Sequence, residues 1–114
     1  MDATELILLY DYYGDLLTDR QKECFELRYN QDLSLGEIGQ ELGISRQGVF
    51  DNLSRTEALL KNMEHKTGCV ERDLRCRKVV QTIHEVVRQL CEHEDKNVAK
   101  AAQQILNAVE GLEE

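Results

Sequence analysis

The 27 residues from Ser34 to Leu60, SLGEIGQELGISRQGVFDNLSRTEALL, restrict the fold more than any other stretch of this chain. Ser34 and Glu37 stand at capping-box spacing and start a helix. Gly43 can adopt the left-handed backbone that stops it, and Ser45 can cap a second helix two residues later. Leu35, Ile38, Leu42, Ile44, Val49 and Leu53 turn one apolar face of each helix toward a shared core. Gly39 has no side chain and sits where the two helices must approach closely. Helix, tight turn and helix in this order are the sequence form of a helix-turn-helix.

The flanking sequence is helical as well. The chain has 114 residues, no proline and six aromatics, which favours long unbroken helices over a sandwich or a barrel. Leu6, Ile7, Leu9, Tyr10 and Tyr13 follow helical spacing from about Asp2, and Gly14 ends that first helix. Thr18 and Gln21 repeat the capping-box spacing and open a second helix through Cys24, Phe25, Leu27, Arg28 and Tyr29 to about Asn30. The helix that starts after Ser45 extends to about Lys66 on a stripe of Val49, Leu53, Thr56, Leu60 and Met63, and Gly68 stops it.

Beyond Gly68 the pattern tightens. Cys76, Val79, Ile83, Val86 and Leu90 alternate spacings of three and four, a heptad seam broadened by Val80 and Val87. A polar hinge, Glu92 to Lys96, leads to a last helix with Val98, Ala102, Ile105, Val109 and Leu112 on one face, its end loosened by Gly111 and the terminal acids. The expected organisation is a helix-turn-helix domain with two leading helices over residues 1–68 and a C-terminal helical pair over 69–114. That pair either packs on the first domain or forms a dimer interface.

Charge is distributed unevenly along the chain. The net value is -8, whereas a nucleic-acid-binding surface is ordinarily basic. Residues 1–33 carry eight acids against three bases, either a solvated face or a patch for a basic partner. Residues 67–91 are the positive stretch, with five bases against three acids. Within it Arg72, Arg75 and Lys78, with Arg77 and Arg88, form either a phosphate-binding stripe or a solubilising face paired with the acidic first third.

On the second helix of the central motif, the side opposite the apolar stripe carries Gln47, Asp51, Ser54, Arg55 and Ala58, with Arg46 and Phe50 on its flank. Gln47 suits adenine, and Arg46 and Arg55 suit guanine or phosphate. Ser45, as the cap, presents backbone amides to a phosphate. Phe50 either meets a base or packs on a neighbouring helix. Asn52 lies nearer the buried side and is expected to bond within the fold. Gly48 inside the first turn costs roughly 1 kcal/mol relative to alanine, with no reason visible in the sequence.

Other functions are disfavoured by what the residues do not assemble. His65, His84 and His93 lie apart, no nucleophile pairs with a base, and the glycines form no phosphate-cradling loop, so no enzyme is expected. Cys24, Cys69, Cys76 and Cys91 include no C-x-x-C pair, and neither His65 with Cys69 nor Cys91 with His93 is followed by a second pair at zinc spacing. Reduced thiols, no metal and no cofactor are the expectation. The longest apolar run, Leu6 to Tyr10, is far below the roughly 20 residues that span a bilayer. Acids rather than bases precede it, so no secretory signal is expected and the chain is placed in the cytoplasm.

The stretch LLTDRQKECFELRYNQDLSLGEIGQELGISRQGVFDNLSRTEALL resembles the promoter-reading fourth region of bacterial sigma factors. Through DYYGDLLTDRQ and SLGEIGQELGISRQGVFDNLSRTE the chain is still more similar to the YlxM-like family of helix-turn-helix proteins, most strongly over about residues 9–60. The resemblance implies an all-α protein, a sigma-factor region-four-like helix-turn-helix domain followed by two long helices. It further implies a cytoplasmic bacterial regulator tied to the signal recognition particle, with the particle's RNA or its GTPase as partner. Phe50, Asp51 and Glu57 stand where sigma-type recognition helices commonly carry cations. Two readings therefore stay open: a DNA- or RNA-binding module using Ser45, Arg46, Gln47, Phe50, Ser54 and Arg55, and an adaptor that docks a partner protein through the same face or the C-terminal helices.

Overall fold

A computed structural model describes residues 2–112. The described residues are all-α, with six α-helices and one short 3₁₀ turn: α1 (Ala3–Tyr13), the 3₁₀ turn (Gly14–Leu16), α2 (Asp19–Tyr29), α3 (Leu35–Leu42), α4 (Arg46–Thr67), α5 (Cys69–Leu90) and α6 (Lys96–Leu112). They divide into two compact units, one up to Val70 and one from Glu71.

Local chemistry sets the helix starts in the first unit. The Asp2 side chain accepts from the Glu5 amide. Thr18 with Gln21, and Ser34 with Glu37, form complete capping boxes in which side chain and backbone bond reciprocally. The Glu37 carboxyl is held below its ordinary pKa because the backbone and side chain of Ser34 donate to it. Gly43 and Gly68 end α3 and α4 at φ 71° and 62°, in the left-handed region. Gly14 ends α1 differently, at φ -56°; a Cβ there would meet the Tyr10 ring at 3.1 Å, so its role is close approach.

Helix α4 is the spine of this unit. Its stripe of Val49, Leu53, Thr56 and Leu60 is buried and serves two cores in succession. Val49 and Leu53 join Cys24 and Ile38 under the helix-turn-helix, while Leu60 joins Leu6, Leu9, Tyr13, Leu17, Phe25 and Val70. Cys24 and Phe25, adjacent on α2, point one into each core and so tie the two together. Phe25 stacks on Tyr10 with ring centroids 4.3 Å apart and touches Tyr29 at 4.5 Å. Full burial of an aromatic ring of this size stabilises by about 2–3 kcal/mol, with ring stacking adding about 1.

Three tyrosine–glutamate hydrogen bonds cross-link the same helices. Tyr10 of α1 donates to Glu26 of α2 at 3.1 Å, Tyr13 of α1 to Glu64 of α4 at 2.6 Å, and Tyr29 of α2 to Glu57 of α4 at 2.6 Å. Each pair among α1, α2 and α4 is joined by one of these bonds, and the Tyr13 hydroxyl also meets the Thr67 hydroxyl of α4 at 2.6 Å. Glu64 also accepts from the Val70 amide at 3.0 Å, capping the start of α5.

In the second unit, Val87 of α5 packs with Ala102 and Leu106 of α6, and Cys91 lies against them. His84 faces Glu110 at 3.9 Å. Pairing of 84 with 110, and of 87 and 91 with 106 and 102, advances along one helix while receding along the other, so α5 and α6 are antiparallel. The expected seam of Cys76, Val79, Ile83, Val86 and Leu90 is not what meets α6; Val79 is 55% and Val86 53% exposed. The inward row is shifted by one residue, onto half-buried Val80 and His84 and buried Val87. On α6 the buried row is Ala102, Leu106 and Val109, and Ile105, expected inside, is exposed. The terminal acids Glu113 and Glu114, expected to loosen this helix, lie outside the described residues.

Candidate nucleic-acid interface

The helix-turn-helix is made by α3, the turn Gly43 to Ser45, and the first half of α4. Gly39 is the contact point: a Cβ added there would lie 2.7 Å from the Ile44 carbonyl oxygen, a backbone atom that cannot swing aside. The Gly39 carbonyl accepts from both the Gly43 and Ile44 amides, which folds the turn back over α3. Arg20 of α2 donates to the Leu42 carbonyl at 3.4 Å and helps satisfy the open end of α3.

Ser45 caps α4 by accepting from the Gly48 amide at 2.9 Å. This explains Gly48, because a Cβ at that position would press on the Ser45 hydroxyl at 3.2 Å. The glycine gives up helix propensity so that the cap can sit close. The Gly48 amide is thereby satisfied, and the positive end of the α4 dipole lies at this turn.

From this start the helix presents one open face. Ser45, Arg46, Gln47, Phe50, Asp51, Ser54, Arg55 and Ala58 are all exposed. Phe50 is 52% exposed and is not part of either described core of this unit. Gln47 is tied to Asp51, its side-chain amide donating at 3.0 Å, so the two act as a unit. Asn52 turns inward as expected, yet its Oδ1 is buried without a hydrogen-bond partner among the described residues. Glu57, which in sequence looked like a second acid on the reading face, is half-buried and accepts from Tyr29.

The charge balance of the face is therefore more favourable to an anion than the sequence implied. Asp51 is the open acid, against Arg46 and Arg55. Sequence reading passed over Lys61, which is exposed seven residues after Ser54 and so falls on the same side of α4. The helical spacing was the available signal, but it lay beyond the short motif. Among the described residues Arg46, Arg55 and Lys61 are not held in ion pairs.

Arg72, Arg75 and Lys78 are placed elsewhere, on α5 in the second unit. Arg75 pairs with Glu71 at 3.6 Å and Arg77 with Asp73 at 3.2 Å, both one turn apart within the helix. These neighbours offset part of the positive stretch, and such exposed pairs stabilise by only about 0.3–0.5 kcal/mol.

A buried glycine contact, a left-handed turn, a capped second helix and an outward polar face define a helix-turn-helix protein. Residues 1–105 match the family described as "Putative helix-turn-helix protein, YlxM / p13 like". A UPF0122 protein of Thermoanaerobacter sp. (strain X514) is 43% identical over 112 residues, covering 97% of this chain and 96% of the relative. One from Caldanaerobacter subterraneus is 48% identical over 86 residues, 75% of this chain and 74% of that one, and one from Bacillus cereus (strain AH187) is 34% identical over 111 residues, 97% and 96%. The chain belongs to this UPF0122, YlxM/p13-like family. The family is described by its helix-turn-helix, and no described helix is long and apolar enough to cross a membrane.

Proposed function

We propose that this protein is a non-enzymatic, regulatory nucleic-acid-binding module that acts in the cytoplasm through the open face of α4. The observation that carries the reading is the joint exposure of Arg46, Gln47, Phe50, Ser54 and Arg55 on one side of a helix that starts at the Ser45 cap. Arg46 and Lys61 contact phosphate, the Gln47–Asp51 pair and Arg55 meet base edges, and Phe50 stacks on a base or a methyl group. The similarity to YlxM-like proteins favours the signal recognition particle RNA as the polymer. A second reading rests on Phe50: a half-exposed aromatic beside Asp51 is equally an anchor for a protein helix, and the particle's GTPase is then the partner.

With the two phosphate contacts of Arg46 and Lys61, affinity for duplex DNA falls with salt at a log–log slope of about -1.8, and for single-stranded RNA at about -1.4. Fluorescence anisotropy against signal recognition particle RNA and random duplex DNA, at several salt concentrations, measures both affinity and slope. Arg46→Glu should abolish binding while leaving the melting temperature nearly unchanged, because Arg46 is exposed. Absence of binding at low salt rejects the nucleic-acid reading, and titration with the GTPase then tests the adaptor.

A further inference from the structure

The C-terminal unit has too little interior for its length. From Glu71 onward, the α5–α6 pair buries Val87, Ala102, Leu106 and Val109, while Val79, Ile83, Val86, Leu90, Ile105 and Leu112 are between 39% and 75% exposed. A hairpin of two helices with so small a core does not hold together in water without a further layer.

The exposed residues form one surface. On both helices the exposed row precedes the buried row by one residue: Val79, Ile83 and Val86 before Val80, His84 and Val87, and Ile105 before Leu106. One residue is a rotation of 100°, and in an antiparallel pair the same step turns both rows to the same side. Val79, Ile83 and Leu112 accordingly border one open groove.

We propose that this face binds a second copy of the same face, giving a homodimer in which two α5–α6 hairpins close a four-helix bundle. The three-four spacing of the α5 row is that of helix-on-helix packing, and the row is self-complementary when α5 runs antiparallel to α5 of the partner subunit. With the two-fold axis between His84 and Glu85, Ile83 faces Val86 of the partner subunit and Val79 faces Leu90 of the partner subunit. Charge selects this direction. On this face the start of α5 presents Arg72 and Arg75, which come over the acidic connection of the other copy, where Arg75 can exchange its exposed 3.6 Å pair with Glu71 for an acid of the partner subunit; Arg77, paired with Asp73, lies on the opposite side. Parallel pairing stacks the two basic ends on each other and brings both Cys76 thiols together.

Sedimentation equilibrium of the full chain without nucleic acid, from 1 to about 100 µM, is expected to give twice the 13.2 kDa chain mass. Ile83→Lys and Val86→Glu should each weaken association by about 100-fold or more, since each buries unpaired charge. Mixing the two variants should restore it, because the introduced lysine of one chain then faces the introduced glutamate of the other in one layer, while the second layer keeps its native residues; misfolding cannot produce that rescue. With Cys69 and Cys91 changed to Ser, spin labels on the two Cys76 residues should lie about 25 Å apart, the 17 residues of offset at 1.5 Å each. A monomer throughout the range overturns the dimer, as does association that neither substitution weakens or that mixing fails to restore. Cys76 labels in close contact overturn the antiparallel pairing.

Discussion

Gly39 and Gly36 stand three residues apart on α3 with opposite requirements. A methyl group at Gly39 collides with the Ile44 carbonyl at 2.7 Å, whereas the nearest atom to a methyl at Gly36 is the Ser34 hydroxyl at 4.0 Å. Gly39→Ala is expected to cost more than about 2 kcal/mol, the scale of a backbone clash in a packed core, and Gly36→Ala to stabilise by about 0.5 kcal/mol. Thermal melts of the two variants followed by circular dichroism should move in opposite directions. The tight approach at Gly39 was legible in the sequence because a helix-turn-helix needs it there. The matching explanation of Gly48 was not, since it depends on where the Ser45 hydroxyl sits.

At the scale of elements, caps decide where helices begin, and α4 carries the face that matters. Removing the Ser45 hydroxyl in Ser45→Ala leaves the Gly48 amide without its acceptor and should lower stability by about 1 kcal/mol in urea denaturation. The same change should weaken nucleic-acid binding, since the first turn of α4 is then less well ordered. Helix type and bounds followed from sequence spacing in every case to within a residue or two. The inward face did not follow equally well. On α4 a single stripe separates core from solvent, but α5 has two adjacent apolar rows, Val79/Ile83/Val86/Leu90 and Val80/Val87, and periodicity alone cannot choose between them.

In the first unit as a whole, the three tyrosine–glutamate bonds make stability sensitive to alkali. Burial, followed by the Glu26 bond, pushes the Tyr10 pKa from 10.0 to about 12, and burial with the Glu57 bond does the same for Tyr29. Tyr13 is raised by burial and then by Glu64. A phenol whose folded pKa lies above its unfolded value holds its proton more tightly in the folded state, so its contribution is complete below about pH 10 and is lost as pH rises toward 12. Absorbance at 295 nm should show these phenols titrating above the free value, with helical content and melting temperature falling over the same window. Tyr29→Phe should remove part of that dependence.

Helical class, the positions of the caps and the helix-turn-helix all follow from the order of the amino acids. Each of these rests on interactions between residues close in the chain: Ser34 with Glu37, Ser45 with Gly48, Gly43 in its own left-handed turn. Which acids stay open and which are bonded depends instead on long-range packing. Glu57 is taken by Tyr29 from 28 residues away and Glu64 by Tyr13 from 51 away, while Asp51 stays on the surface beside Gln47. Long-range packing likewise decides which apolar row of α5 faces inward, because that depends on how Val87 meets Ala102 and Leu106 across the hairpin. Contacts of this kind are set by packing between distant segments, and a one-dimensional pattern records only that apolar side chains are available.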